Sequence, residues 1–301
     1  MTRLNSLTIS DDDMNRRVAS DEARSDDALV VVTSTAFPGP GQWRHFWDLT
    51  ITLARNELKQ RYFGSALGYL WSLARPMMLF SVLYFVFTHI IMRADIPHYG
   101  VYLLLSLVLW TYFAETTALG VESLVHRESI MRKINFPRIA IPVSLALTTG
   151  FQLLLNLLVV VGFMLVTGVM PAWTWLPAVL LILLFLAFTI GVAMLLSTLY
   201  VKFRDVEPVW QVTTQMLFWG SPVIYIALFP PESIRGIMAA SPISATFTQL
   251  RRWVIDGSAP SAADVLGGPV YLLIPLAIAV FTFVLGVAVF AREAPRVAED
   301  L

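Results

Sequence analysis

The sequence predicts an all-α integral membrane protein with six transmembrane helices, an amino-terminal amphipathic helix at the membrane interface and two short re-entrant helices on the outer side. Hydrophobic residues make up 57% of the chain and charged residues 14%, whereas a soluble domain is about 25% charged. The mean hydropathy is +0.69. Six apolar segments reach, or nearly reach, the roughly 20 residues that a helix needs to cross a bilayer.

The six predicted spans lie within a membrane domain at residues 65–292. They cover residues 66–92, 99–121, 139–169, 175–200, 209–229 and 270–291. The fifth is short for a span and contains Pro222. Between the fifth and sixth, residues 230–268 contain two short apolar helical patterns separated by Ser241-Pro242. Neither pattern is long enough to span, so we predict a pair of re-entrant helices; an ordinary folded external loop is the alternative.

The amino-terminal region changes character at Trp43. Residues 1–42 are polar, with seven acidic residues and four arginines, and they predict a disordered tail. Residues 43–64 then predict an amphipathic helix, because apolar residues recur at steps of three or four. Its apolar stripe is Trp43, Trp47, Ile51, Ala54, Leu58 and Tyr62, and its polar side carries Arg44, Asp48, Arg55 and Lys59. Tryptophans on the apolar side are typical of a helix in the membrane interface.

The basic residues predict the orientation in the membrane. If the amino terminus is cytoplasmic, 17 of the 21 Arg and Lys lie on the cytoplasmic side. The four outside are Arg93, Arg235, Arg251 and Arg252. Because cytoplasmic loops are enriched in Arg and Lys, both termini, including the tail at 293–301, are expected in the cytoplasm of a bacterial plasma membrane.

A charged island separates the second span from the third. It runs from His126 to Arg138, with a predicted amphipathic helix at 126–135 that Pro137 follows. Two interpretations remain open: a contact surface for a separate protein, or a positive loop that only fixes the topology. The residues assigned to the contact surface are His126, Arg127, Glu128, Ile130, Met131, Arg132, Lys133 and Ile134.

Sequence motifs argue against several activities. A nucleotide-binding P-loop needs a glycine directly before its lysine, and Lys59, Lys133 and Lys202 each follow another residue. With no cysteine there is no thiolate metal site, and the four histidines lack metal-ligand spacing. The formal net charge of zero makes nucleic acid an improbable partner. We therefore predict a chain that is not an enzyme and binds no metal or cofactor.

Two further features lie inside the predicted spans. Glu115 is the one carboxylate deep in a span, and it predicts either a contact with transported cargo or a structural tie to Arg75 or another span. Aromatic residues follow helical steps in the first and fifth spans. They are Phe80, Tyr84 and Phe87 in the first, and Phe218, Trp219 and Tyr225 in the fifth. Such rows either line a conduit or pack against neighbouring helices.

The order of these motifs resembles the permease subunits of ABC-2 type exporters, particularly those that export lipid-linked polysaccharides. The resemblance covers residues 43–292. Its motifs are Ala54-Arg55-Asn56-Glu57-Leu58-Lys59-Gln60-Arg61-Tyr62, Gly68-Tyr69-Leu70-Trp71, Arg75-Pro76, Trp110 to Glu115, Arg132 to Arg138, Arg204-Asp205-Val206 and Ser221-Pro222-Val223-Ile224-Tyr225. Ser241-Pro242 departs from the Asn-Pro that related permeases often have.

The resemblance implies a homodimer of this chain with two copies of a separate ATPase, which binds the ATP and Mg²⁺. It implies that the helix at 43–64 and the island dock this ATPase, and that the first and fifth spans line a conduit behind an outer gate of two short helices. Lys59, Arg61 and Arg75 would then bind the diphosphate of a polyprenyl-linked glycan, such as a galactan or an O-antigen-like polymer.

Three alternatives differ in what they require of the sequence. A drug or lipid exporter of the same architecture would share these motifs. An ion-coupled secondary transporter needs coupling-ion sites near mid-membrane, for which Glu115 alone is too little. A glycan-modifying enzyme predicts clustered acids or histidines outside, whereas Glu232, Asp256 and Asp264 are isolated in the sequence.

Overall fold

The computed structural model describes residues 37–38, 41, 43–62, 70–91, 96–127 and 137–300, with backbone alone for 62, 91 and 295–300. All regular secondary structure in these ranges is helical. The helices are α1 Trp43–Tyr62, α2 Leu70–Val86, α3 Tyr99–Glu122, α4 Ala140–Val166, α5 Trp175–Lys202, α6 Val206–Gly220, α7 Glu232–Ala239, α8 Pro242–Leu250, α9 Ala262–Leu266 and α10 Leu273–Asp300. A π-helical turn, Phe87–Ile91, extends α2, and a second one, Arg251–Ile255, extends α8.

Five helical segments in the described ranges are long and apolar enough to cross a membrane. They are Leu70–Ile90, Tyr99–Glu122, Ala140–Val166, Trp175–Lys202 and Pro269–Ala294. They coincide with the first, second, third, fourth and sixth predicted spans. The fold is therefore that of a multi-pass helical membrane protein.

The fifth predicted span is not one continuous helix, contrary to the prediction for residues 209–229. Helix α6 ends at Gly220, and Ser221 has an extended backbone with φ −111° and ψ 152°. Pro222 explains this end, because proline disfavours a helical residue before it and has no N–H to donate. The 15 residues of α6 rise about 22 Å, less than the roughly 30 Å of a bilayer core.

The chain after α6 nevertheless continues along α3. The Trp210 indole donates a hydrogen bond to Thr117 Oγ1 (3.0 Å) near the carboxyl end of α3. Farther on, Phe218 packs on Trp110 at 5.4 Å between ring centroids. At the amino end of α3, the Tyr99 hydroxyl donates to the Ile224 carbonyl (2.6 Å). Residues 206–224 thus run antiparallel to α3 over most of its length.

Helix α3 forms the centre of the bundle. Most of its residues between Tyr99 and Val121 are buried, and Leu103, Leu107 and Leu109 are fully inaccessible. A helix that is apolar on all sides is stable when other helices surround it, and α3 is such a helix. Helices α2, α4, α5 and α6 pack around it.

Helices α5 and α10 cross at glycines. A Cβ atom on Gly286 would lie 2.3 Å from the Gly191 carbonyl oxygen, and one on Gly191 would lie 2.5 Å from the Phe283 Cα. Small residues at such crossings let two backbones approach closely within a membrane, where packing drives helix association. A similar contact joins α3 to α5, since a Cβ on Gly120 would meet Ala193 Cβ at 2.6 Å.

Helix α1 and the carboxy-terminal half of α10 lie at the same end of the bundle. Phe46 of α1 shares a buried apolar cluster with Ile141 of α4, Met194 of α5, and Phe290 and Ala294 of α10. Trp43, Trp47 and Ile51 of the predicted apolar stripe stay 42–55% exposed. The packed face of α1 carries Phe46, Thr50 and Ala54, so Ala54 of the predicted stripe is buried in the bundle while its tryptophans are not.

Two short helices follow the break at residues 221–231, as the sequence predicts, and a third, α9, was not foreseen. Ser261 begins α9 with a capping box, because its Oγ accepts the Asp264 N–H while Asp264 accepts the Ser261 N–H. The pattern Ser-x-x-Asp at 261–264 was a readable signal for this helix. In the same segment, hydrogen bonds from Ser258 lower the pKa of Asp256. The structure confirms the two short helices.

Candidate coupling site

A chain of ion pairs joins α1 to α3 and to the start of the charged island. Arg61 Nη1 donates to Glu115 Oε1 at 2.6 Å, and Arg61 Nε lies 3.4 Å from Glu57 Oε1. Glu57 Oε2 in turn accepts from Arg127 Nη2 at 3.0 Å. The side chains of all four residues are between 13% and 31% exposed, so the pairs are partly shielded from solvent.

Arg127 extends this network to α4. Its Nη1 donates to the Ser144 hydroxyl (3.0 Å) and to the Ile141 carbonyl (3.3 Å). The first residues of the island therefore contact α1 and the amino end of α4 at once. Arg127 is thereby linked to α1 through Glu57 and onward to α3 through Arg61.

Glu115 forms an ion pair in the structure. Its partner is Arg61 on the interfacial helix and not Arg75, which lies exposed on α2. Arg61 could pair with it because Glu57, Leu58 and Arg61 occupy the side of α1 that turns toward α3 and α4. The ion pair therefore joins Glu115 to Arg61 of α1, whereas the sequence analysis had named Arg75 or another span.

Glu57 is the residue at the centre of this network that sequence reasoning did not single out. It stands four residues before Arg61, at the spacing that brings side chains together on a helix. That spacing was visible in the sequence. The second partner of Glu57, Arg127, is 70 residues away, and only the fold brings it to Glu57.

The structure describes part of the island. Glu128, Ile130, Met131, Arg132, Lys133 and Ile134 lie outside the described residues. His126 is described: its side chain is 71% exposed, and its Nδ1 lies 3.5 Å from Glu122 Oε2. After the gap, the buried Arg138 donates from Nη1 to the Ala294 carbonyl of α10. The island is thus anchored to the bundle on both sides of the undescribed segment.

The three residues predicted to bind a diphosphate differ in their surroundings. Lys59 and Arg75 are exposed, whereas Arg61 is committed to Glu57 and Glu115. Arg61 Nη2 is buried and makes no hydrogen bond to any residue that the structure describes. One guanidinium nitrogen of Arg61 therefore keeps its hydrogen-bonding capacity.

The aromatic rows contain both packed and exposed rings. Phe80 packs edge-on against Phe163 of α4 at 5.7 Å, and Phe218 packs against Trp110 of α3. Phe87 is likewise partly buried against the core. By contrast, Trp219 is 58% exposed and Tyr84 is 37% exposed. Tyr225 is half-buried and donates its hydroxyl proton to the Trp219 carbonyl (3.0 Å).

A polar cavity of about 330 Å³ adjoins the ion network. Its walls include Glu57, Glu122, Glu207, His126 and Arg127, together with Trp210. Within the described ranges, no group of three or more His, Cys, Asp or Glu side chains is arranged to hold a metal ion. The cavity lies between α1, the carboxyl end of α3 and the amino end of α6, and so at the same end of the bundle as the island.

Comparisons with known proteins agree with this architecture. The family model described as "ABC-2 type transporter" matches residues 48–253. A curated protein of Klebsiella pneumoniae, "O-antigen export system permease protein RfbA", is 32% identical over 215 residues, which are 71% of this chain and 83% of that protein. A second K. pneumoniae protein of this name is 30% identical over 214 residues (71% and 82%). The protein of this name from Myxococcus xanthus is 29% identical over 222 residues (72% and 84%).

Proposed function

Because this chain belongs to the ABC-2 type transporter family, we propose that it is the permease subunit of an ATP-driven exporter that moves a lipid-linked polysaccharide, of the O-antigen or galactan kind, out of the cell. The observation that carries this proposal is its similarity, over more than four fifths of their length, to proteins named as O-antigen export permeases.

The power for transport is proposed to come from a separate ATPase. None of the three lysines of this chain follows the glycine that a P-loop requires, so hydrolysis must be supplied by a partner that binds ATP and Mg²⁺. The island is the proposed docking surface. The contacts of Arg127 with Glu57 and Ser144 support this role, because they connect the island to α1 and α4.

Six membrane crossings, with both termini in the cytoplasm, are proposed for the complete bundle. Residues 206–224 run alongside α3 from one end toward the other, which supports a crossing made of helix α6 and the extended chain after it. The location of α1 and the end of α10 at the same end of the bundle is what an even number of crossings produces.

The conduit is proposed to form between two copies of this chain. Helices α2 and α6 are the least enclosed around α3: in α2 the buried residue is Pro76, and in α6 none is buried. The 58% exposed ring of Trp219 is proposed to face a second copy, together with the exposed edge of Tyr84, which also stacks on Phe80 and Tyr99. Sugars stack on such rings. Lys59, Arg61 and Arg75 are proposed to attract the diphosphate at the cytoplasmic entrance.

Complementation tests the cargo. In a host whose surface polysaccharide requires this chain, deletion is expected to remove the polymer from the surface and to accumulate lipid-linked polymer inside. The chain should restore export only together with its ATPase, and Arg132→Glu with Lys133→Glu should abolish export while the chain remains inserted. Normal surface polymer in the deletion strain, with loss of drug or lipid efflux, would refute the polysaccharide assignment.

Single cysteines test the six crossings, and the natural chain offers a clean background because it has no cysteine. Ser258→Cys is expected to react with a membrane-impermeant maleimide in intact cells. His126→Cys and Arg292→Cys should react only after the membrane is opened. Labelling of Ser258→Cys and Arg292→Cys from the same side would contradict this topology.

A further inference from the structure

An apolar cavity of about 360 Å³ lies away from the ion network of Glu57, Arg61, Glu115 and Arg127. Its walls come from α5, α8, α9 and the beginning of α10. Phe185, Phe188, Ala245 and Ala279 are among the lining residues. None of its walls belongs to α2 or α6, the helices proposed to line the cargo conduit.

The walls offer almost nothing for water to bind. Three polar side chains line the cavity besides Trp253, and two of them already use their polar atoms elsewhere. Gln249 Oε1 accepts the Ala262 N–H at 3.1 Å, and Ser261 Oγ accepts the Asp264 N–H at 3.1 Å. An apolar cavity of about 150 Å³ in a protein stays dry and takes up small apolar molecules instead.

The surface next to the cavity is apolar as well. Leu180 and Leu183 of α5 are 69% and 55% exposed, and Leu273 and Leu276 of α10 are 61% and 43% exposed. Leu276 itself lines the cavity, so the cavity is continuous with the exposed face of two membrane-spanning helices. Such a face contacts the hydrocarbon chains of the bilayer. A hydrocarbon chain that entered the cavity would make the van der Waals contacts that the cavity walls otherwise lack.

We propose that this cavity binds one acyl chain of a membrane phospholipid. The chain would pack between α5, α10 and α8, and so support the short helices from outside the conduit. A phospholipid is favoured over the polyprenyl tail of the cargo because the cavity has no wall from α2 or α6. This site depends on the membrane location of the fold and not on the identity of the exported cargo.

Photo-crosslinking tests the site directly. The full-length chain is reconstituted in nanodiscs of phosphatidylethanolamine and phosphatidylglycerol in which a fraction of the acyl chains carries a diazirine. Mass spectrometry is expected to find cross-links on the cavity walls of α5 and α10 several-fold more often than on Ala277, which faces outward on the same helix. Equal labelling of both faces in the wild-type protein would overturn the proposal, whatever the variants do.

Two filling variants provide the control for occupancy. Ala279→Phe and Ala245→Leu enter the cavity from opposite walls and are expected to reduce the cross-links several-fold. Ala277→Phe, the matched control two residues away, should leave them unchanged. Undiminished cross-linking in both filled variants, with normal elution on size exclusion, would count against the site. Labelling of the cavity by a photoreactive polyprenyl phosphate but not by the phospholipid would overturn the choice of ligand.

Discussion

At the scale of single residues, Glu57 joins two arginines that come from different parts of the chain. It contacts Arg61 on its own helix and Arg127 at the start of the island. A carboxylate that bridges two guanidinium groups holds both in place, since charge-assisted hydrogen bonds are stronger and more directional than neutral ones. Removal of the Glu57 charge should therefore weaken the contact between the island and α1 without changing the packing of the apolar core.

We predict that Glu57→Gln lowers polysaccharide export strongly while the chain still inserts and still binds its ATPase. The glutamine keeps the shape but gives up the charge that Arg61 and Arg127 both need. Export is measured as surface polymer, and binding as co-purification of the ATPase. Glu232→Gln, on the exposed first turn of α7, is the control and should export normally. Normal export by Glu57→Gln would show that the bridge is not required for coupling.

The pair of Arg61 and Glu115 permits a quantitative test at the same scale. We predict that Arg61→Gln and Glu115→Gln each destabilise the protein. Arg61→Gln leaves Glu115 without the cation it pairs with, and Glu115→Gln leaves Arg61 with the longer contact to Glu57. The double variant should be less destabilised than the sum, by a coupling free energy of about 1–2 kcal/mol. The free energies come from thermal unfolding in detergent.

Arg55 supplies the matched comparison, because it is exposed on the opposite side of α1. Arg55→Gln combined with Glu115→Gln should be additive. Strict additivity of Arg61→Gln with Glu115→Gln would mean that the two charges do not stabilise each other.

At the scale of elements, the contact between α5 and α10 depends on two glycines without side chains. Gly191 and Gly286 meet backbone to backbone, and neither has room for a Cβ atom. This close approach fixes where two of the longest helices cross. It also positions the walls of the apolar cavity, which both helices line.

We predict that Gly286→Leu destabilises the protein by about 3 kcal/mol, the upper end of the usual cost of overpacking, because the new side chain must push apart two backbones in contact. The midpoint of thermal aggregation of the detergent-solubilised protein measures this. Gly162→Leu, on an exposed face of α4 with open space around it, should change the midpoint little. Equal midpoints for the two variants would contradict the tight crossing.

The elements also show where sequence patterns suffice. Five spans follow from apolar runs alone, since a run of about 20 apolar residues has few other stable conformations. Pro222 signals the helix end after Gly220. The prediction of a span at 209–229 followed the apolar residues through Phe229 instead, and it missed this helix end. The helix at Ala262–Leu266 was signalled by its capping box, which a search for apolar patterns passes over.

The site was less accessible to prediction than the fold. Helical spacing pairs Glu57 with Arg61, but Arg61 with Glu115 and Glu57 with Arg127 are contacts across 54 and 70 residues. Such pairs depend on the rotation of each helix about its axis, which apolar periodicity fixes poorly when a helix such as α3 is apolar all round. The same reason left open which aromatic rings pack and which stay exposed.

At the scale of the whole molecule, the conduit proposed between two copies would use surfaces that one copy leaves open. Helices α2 and α6 lie at the margin of the bundle around α3, and Trp219 of α6 is largely exposed. Two neighbouring rings of α6 allow packing and conduit lining to be tested separately. Phe218 packs on Trp110, whereas Trp219 is 58% exposed.

We predict that Trp219→Ala reduces export of long polymers several-fold and leaves the thermal midpoint of the protein nearly unchanged, because it removes a stacking surface and little packing. Phe218→Ala should lower both export and the midpoint, since it also removes a contact with α3. Trp173→Ala, an 87% exposed tryptophan before α5, controls for the loss of an exposed indole and should export normally. Polymer length on the cell surface is measured by gel electrophoresis. If Trp219→Ala exports polymers of every length as the wild type does, the rings of α6 serve packing alone, and the cargo path must be sought on another face of the bundle.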